Sequence, residues 1–351
     1  MSHGIVPPYL LRHLSQLDRD DLRPAAEAAR RALLAPPPPR RARPTAIPSP
    51  ERTPTVPTQP ERTIGDAGGG ESLPGEVVRR EGDPPTGDVA ADEAYDGLGA
   101  TFTLFADVFG RASIDGAGMP LVATVHYGRQ YDNAFWDGHQ MVFGDGDGQV
   151  FGRFTASLSV IGHELTHGVT QFTADLAYEG QSGALNESIS DVFGALIEQH
   201  ARGQSTAEAS WLIGEGLFTD QVEGSALRSM KAPGTAYDDD VLGKDPQPAT
   251  MADYVDTTDD NGGVHLNSGI PNHAFYLVAT ALGGNAWDTA GRIWYDTMLG
   301  DLPPTASFDQ FAAATAAAAT ARFGPDSREH RAVREAWSTV GLPIGDTGTD
   351  G

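Results

Sequence analysis

The chain has 351 residues, with 24 basic and 48 acidic side chains and a formal net charge of −24. That charge excludes a general nucleic-acid binder, because phosphate repels carboxylate. The absence of cysteine excludes disulfide scaffolds, thiolate zinc fingers, iron–sulfur clusters and cysteine nucleophiles. Hydrophobic residues make up 39%, enough for a folded core, and the length suits about two domains.

In chain order, the composition divides sharply. Residues 1–62 hold ten Arg and six acidic residues, a net +4, while the remainder carries −28. Residues 9–34 read as helical, with Leu10, Leu11, Leu14 and Leu17 at helical spacing. Residues 35–62 are Pro-rich, including Pro36 to Pro39, and read as an extended stretch open to proteases. A short helical head over 1–43 and a linker over 44–62 are therefore expected. The first residues lack a basic start and an apolar run, so no Sec-type export signal is read there. Location stays open between the cytoplasm and a leaderless export route.

Residues 63–157 contain Gly-rich turns and short strand-like runs, LVATVHYG (121–128) and QMVFG (140–144), with a helix near 91–110. From 158 the pattern is helical, over 158–172, 185–202, 268–282, 285–299, 307–322 and 327–339. The Ala-rich run 311–321 has 11 residues, whereas a membrane span needs about 20, so no span is expected. The expected fold class is α+β. A β-rich half over 63–172 ends in a helix, an α-helical half covers 173–345, and 346–351 is a tail. A cleft between the halves is the natural place for a site.

Residues 160–170 read VIGHELTHGVT. His163 and His167 are four apart, hence one turn apart on one helical face, where two imidazoles can grip one zinc ion. Glu164 lies beside that face and can take a proton from a water there. Two core histidines and a surface glutamate would read the same, so a third ligand is required. One class of zinc peptidase places a Gly and a further His at the positions that are Thr170 and Thr173 here, which excludes that class. The alternative third ligand is Glu187, in GALNESISD (183–191), with Asn186 read as a helix cap. Asp191, one turn further on, is then placed to hold the outer N–H of an imidazole, His163 by preference.

HELTH followed by GALNESISD and DNGGVHLNSGIPNHAFYL (260–277), and preceded by YDNAFWDGHQMVFGDGDG (131–148), resembles the thermolysin family of zinc endopeptidases. The likeness runs in order from about residue 70 to 342. HGIVPPYLLRHL resembles the short pro-segment of protealysin-like precursors in that family. The resemblance implies one catalytic zinc on His163, His167 and Glu187, with Glu164 as general base. It implies that His265 and Tyr178 hydrogen-bond the oxyanion and that Asp260 orients His265. Asn133, Ala134 and Arg228 would bind substrate backbone. Phe151, Phe154, Val160, Ile213, Leu217 and Leu227 would line an apolar pocket for the residue after the cut, made shallower by Phe154.

The resemblance further implies hydrolysis without a covalent intermediate, and protein or peptide substrates for a monomer made as a self-processed precursor. Its head would act as an intramolecular inhibitor, drawn to the acidic body by charge. Thiolate inhibition is impossible without cysteine, and His3 is the nearest substitute. Calcium is the departure: Glu198 and Glu215 match two ligands of the family's double calcium site, but Ser159, Ser210 and Leu212 replace others. The double site is expected to be lost, with a single ion left open. GDGDG (144–148) reads as a turn. The alternative to a peptidase is a catalytically silent zinc-binding scaffold or adhesin of the same fold.

Overall fold

The computed structural model describes residues 4–34 and 59–345. The inner part of the Pro-rich linker, His3 and the tail 346–351 lie outside the described residues. The head forms α1 (Pro8–Ser15) and α2 (Arg23–Leu34), joined by a 3-10 turn at Asp20–Leu22. Proline suits the start of α1, where its missing N–H is not needed. Leu10, Leu11 and Leu14 of α1 and Ala25, Ala28, Ala29 and Ala32 of α2 are buried.

The next segment builds a mixed five-stranded sheet from β1 (Arg62–Asp66), β2 (Glu76–Arg80), β3 (Leu121–Val125), β4 (Ala134–Trp136) and β5 (Met141–Phe143). Its order is β2-β1-β3-β5-β4, with β1, β3 and β5 parallel and β2 and β4 antiparallel to their neighbours. Arg62, read as the last linker residue, is thus the first residue of β1. There its guanidinium bonds Glu81 at 2.6 Å. Between β2 and β3 lies α3 (Val89–Thr103), capped by Asp88, which runs on through a π-helical turn at Leu104–Val108. GDGDG is a turn, with Gly146 and Gly148 at positive φ and Asp147 Oδ1 accepting the Val150 N–H at 2.7 Å.

Two long helices then cross at the centre, α4 (Leu158–Gln171) and α5 (Gly180–Arg202). They approach closely because glycines face each other. A Cβ on Gly162 would stand 3.1 Å from Gly194 Cα, and one on Gly194 would stand 2.5 Å from Ser159 O. Helix α5 starts at Gly180, earlier than the expected 185, so Asn186 is an interior residue and not a cap. The Gly–Gln–Ser start resembles a loop in sequence; in the structure Ser182 Oγ lies 2.8 Å from the carbonyls of both Ala177 and Glu179, tying the first turn to the segment before it.

Two short hairpins follow, β6 (Leu212–Ile213) with β7 (Arg228–Ser229), and β8 (Asp238–Asp239) with β9 (Gly243–Lys244). The rest is helical: α6 (Asp260–Asn267), α7 (Gly269–Leu282), α8 (Ala290–Leu299), α9 (Phe308–Phe323) and α10 (Arg328–Thr339). One contiguous apolar cluster joins the head, the sheet and both sets of helices. Among the described residues no helix is long and apolar enough to cross a membrane.

Candidate active site

Helix α4 presents His163, Glu164 and His167, and α5 brings Glu187 and Asp191 against them. His163 Nδ1 faces Asp191 Oδ1 at 2.7 Å, and His167 Nδ1 faces Asn186 Oδ1 at 2.8 Å. The Asn186 amide donates to Leu176 O at 3.1 Å, which orients its oxygen toward His167. Each imidazole therefore commits its Nδ1–H outward and turns Nε2 inward. The two Nε2 atoms stand 3.0 Å apart, with Glu187 oxygens 3.5 Å from His163 and 3.4 Å from His167. Ligands about 2 Å from one tetrahedral centre stand ~3.3 Å from one another. Glu187 Oε2 is buried without a hydrogen-bond partner. Converging lone pairs around an orphaned buried carboxylate oxygen are what a cation requires, so the three residues fit zinc.

Glu164 is fully buried beside this centre, and its Oε2 accepts the Trp136 N–H at 3.0 Å. Burial, reinforced by the Glu187 charge, pushes its carboxyl well above the usual range. Burial would also raise Glu187, but the surrounding His265, His167 and His163 outweigh it and hold it at about 2.

The segment ahead of His265 owes its shape to left-handed backbone. Asn261, Gly262 and Gly263 have φ of 51°, 85° and 74°, which turns the start of α6 so that Asp260 reaches back to His265. Asp260 Oδ1 meets His265 Nδ1 at 2.7 Å, and its Oδ2 accepts the His265 N–H at 2.9 Å. Burial disfavours the imidazolium, but Asp260 and Glu187 prevail and raise His265 to about 9. His265 Nε2 lies 3.3 Å from Tyr178 Oη, and the Tyr178 hydroxyl donates to Glu187 Oε1.

Asp191 is a hub. Besides His163 it accepts from Arg228 Nε at 2.9 Å and Nη2 at 2.8 Å, and from Asn272 Nδ2 at 2.8 Å. Burial opposes its ionisation, but Arg228 and His163 hold its carboxyl well below the usual range. Asn186, Asn272 and Gln247, which donates to His265 O at 2.7 Å, were not readable as site residues. A second period-four line through α5, Asn186 and Ser190, was the available signal, since Ser190 Oγ also lies 3.1 Å from His167 Nδ1.

The head enters this cleft. Gly4 bridges Phe135 along β4, the last strand of the sheet, Ile5 N–H donates to Ala134 O at 3.1 Å, and Val6 N–H donates to Asn133 Oδ1 at 3.0 Å. Arg228 Nη1 donates to Ile5 O at 3.0 Å. Ile5 is fully buried in the same apolar cluster as Phe151, Phe154, Val160, Ile213, Leu217 and Leu227, themselves buried. Only two ion pairs join head and body among the described residues, Arg12–Asp259 at 3.4 Å and Arg19–Asp240 at 3.5 Å, both exposed. Net charge suggested electrostatic docking; the contacts that hold the head are apolar packing and backbone hydrogen bonds. Away from the cleft, Glu198 is nearly buried and paired to Arg202 at 2.8 Å, with Glu215 close enough to raise its pKa further beyond the effect of burial.

A β-sheet half, a helical half and two histidines with a glutamate at their junction define a metallopeptidase. A family described as thermolysin metallopeptidase, catalytic domain, matches residues 69–171, and its companion, the alpha-helical domain, matches 174–342. The chain belongs to the thermolysin family and is a metalloendopeptidase. It is 50% identical over 346 residues to an extracellular metalloprotease of Pectobacterium carotovorum subsp. carotovorum, covering 97% of this chain and 96% of that one. It is 53% identical to protease PrtS of a Photorhabdus strain, over 82% of this chain and 78% of that protein. Among solved structures, the precursor of protealysin from Serratia proteamaculans matches with a TM-score of 0.88 and 49% identity, covering 97% of this chain and all of that chain.

Proposed function

We propose that this metalloendopeptidase cuts peptide bonds on the N-terminal side of hydrophobic residues and is made as a precursor that its own head keeps latent. The observation that carries the reading is the head itself: Ile5 is fully buried with its N–H on Ala134 and its carbonyl on Arg228, as a substrate residue after the cut would be.

His163, His167 and Glu187 would hold the zinc, which when bound supplies a Lewis acid and lowers the pKa of a water. Glu164 takes the proton of the attacking water and delivers it to the leaving amine, a shuttle suited to a carboxyl whose pKa burial has raised. His265, charged and held by Asp260, and the Tyr178 hydroxyl donate to the oxyanion that develops on the scissile carbonyl. Asn133, Ala134 and Arg228 hold the peptide backbone, and the six apolar side chains from Phe151 to Leu227 receive the residue after the cut. Arg202 on Glu198 supports a protein without the double calcium site, since its guanidinium already compensates that carboxylate.

Zinc analysis combined with chelator-sensitive cleavage of a peptide series, varied at the residue after the cut, tests the reading. Stoichiometric zinc with Leu, Ile or Phe favoured at that position is expected. Zinc without any hydrolysis, after removal of the head, would establish the silent scaffold instead.

A further inference from the structure

The contacts of the head define which of its peptide bonds faces the catalytic carboxylate. Counting from Arg228, which holds the carbonyl of Ile5, and from Asn133, which holds the N–H of Val6, the bond one step before Ile5 is Gly4–Ile5. The N–H of Ile5 is the nitrogen of that bond. It donates to Ala134 O at 3.1 Å and also faces the Glu164 carboxylate. Glu164 Oε1 is buried without a hydrogen-bond partner. The antiparallel bridge of Gly4 to Phe135 lays this bond along the edge strand. Glycine is needed for so close an approach: a Cβ at position 4 would stand 2.5 Å from Asn133 Oδ1 and 2.7 Å from Ala134 O.

We propose that Gly4–Ile5 is a self-cleavage site, hydrolysed within the same molecule while the head remains docked. The inference rests on the peptidase reading above. Water oxygen bonds to the Gly4 carbonyl carbon and the bond to Ile5 nitrogen breaks. Glu164 passes both protons of the water, in turn, to that nitrogen. The products are the segment that ends at Gly4, with a new carboxylate, and a chain beginning at the Ile5 ammonium. Among the described residues, the contacts that seat the head lie at Ile5 or beyond, apart from the Gly4 bridge, so the shortened head keeps them and this cut differs from one in the linker.

Intact mass and N-terminal sequencing of the full chain, followed over time after zinc addition, test this. The expected result is loss of residues 1–4, exposing Ile5, at a rate independent of protein concentration. Glu164→Gln binds the same amount of zinc, keeps its N-terminus, and stays intact when mixed with wild type. Gly4→Ala, which cannot seat the bond, remains uncut at that position. A chain that hydrolyses peptides in trans while keeping residues 1–4 overturns the proposal but not the peptidase reading. So does cleavage of Glu164→Gln by wild type at Gly4–Ile5, or unimpaired cleavage of Gly4→Ala there. Absence of hydrolysis in trans after the head is removed overturns the peptidase reading itself.

Discussion

Residues at the centre act through what they donate or withhold. Glu164→Gln removes the proton shuttle but none of the three ligands, so zinc content stays the same while kcat falls about 10²–10⁴-fold, read by metal analysis and peptide hydrolysis on one preparation. Asn186→Ala leaves the ligands intact but frees His167 from its orienting acceptor; zinc affinity falls about 10–100-fold, read by competition with a chelator of known affinity. Further from the cleft, Asp132 is fully buried and the group that faces it is another carboxyl, Asp147, which cannot donate unless protonated. Burial first, then Asp147, raises Asp132 well above the usual range, with Arg31 of the head opposing. The folded state therefore binds this proton more tightly than the unfolded state. The stability it contributes is full below the ordinary Asp range and is lost as pH rises through the raised value. Asp132→Asn puts an amide donor opposite Asp147, so the variant melts higher than its parent at pH 8, by about 1–3 kcal/mol of stability, and the gap closes by pH 4. Calorimetry in a Glu164→Gln background, free of self-digestion, measures it.

Elements set the distances. The ligands lie on two helices, and the spacing between α4 and α5 decides whether Glu187 reaches the histidines. That spacing depends on Gly162 and Gly194 at the crossing. Gly194→Ala pushes a methyl into Ser159 O and toward His163 N, the latter 3.1 Å away. Loss of about 1–3 kcal/mol of stability is expected, together with weaker zinc binding, because the displaced atoms are the His163 backbone and Ser159 one turn before it. A surface Gly→Ala such as Gly82→Ala, with no atom near its Cβ, is not an equivalent control because φ there is 82°. Ala100→Ser within α3 serves better, being half-buried and helical. The left-handed run at Asn261–Gly263 does for His265 what the crossing does for the zinc ligands, turning one acidic side chain back onto an imidazole.

For the whole molecule, latency depends on how the head is held. Leu10, Leu11 and Leu14 are at most 1% exposed, whereas the two inter-segment ion pairs lie in solvent. Water and salt screen such exposed pairs, and holding two long side chains in place offsets much of what attraction remains. Arg12→Ala combined with Arg19→Ala therefore raises basal activity less than about thirtyfold, and 1 M salt does no more. Leu14→Asp, which buries a charge without a partner, costs about 3 kcal/mol or more and releases the head, seen as early peptide hydrolysis and rapid loss of the head by cleavage within the linker 44–62.

By itself the sequence determined the chemistry. HELTH fixes two imidazoles on one helical face, and a carboxylate beside it, through the 3.6-residue period, and GALNESISD offers the third ligand with Asp191 one turn on. The helical half was legible for the same reason: long periodic segments encode their own geometry. Only the tertiary structure decided what depends on approach between distant segments. Asn186 read as a cap because local propensity favours it there, while the helix that begins at Gly180 makes it the partner of His167. Charge counting assigned the head to electrostatic attraction, since composition does not show which side chains are buried; the fold seats Ile5 and Val6 on a strand edge more than a hundred residues away, where Ala134 O and the Asn133 and Arg228 side chains hold the head's backbone. Local periodicity reports which face a residue occupies, and contacts between segments are set by the packing of the whole chain.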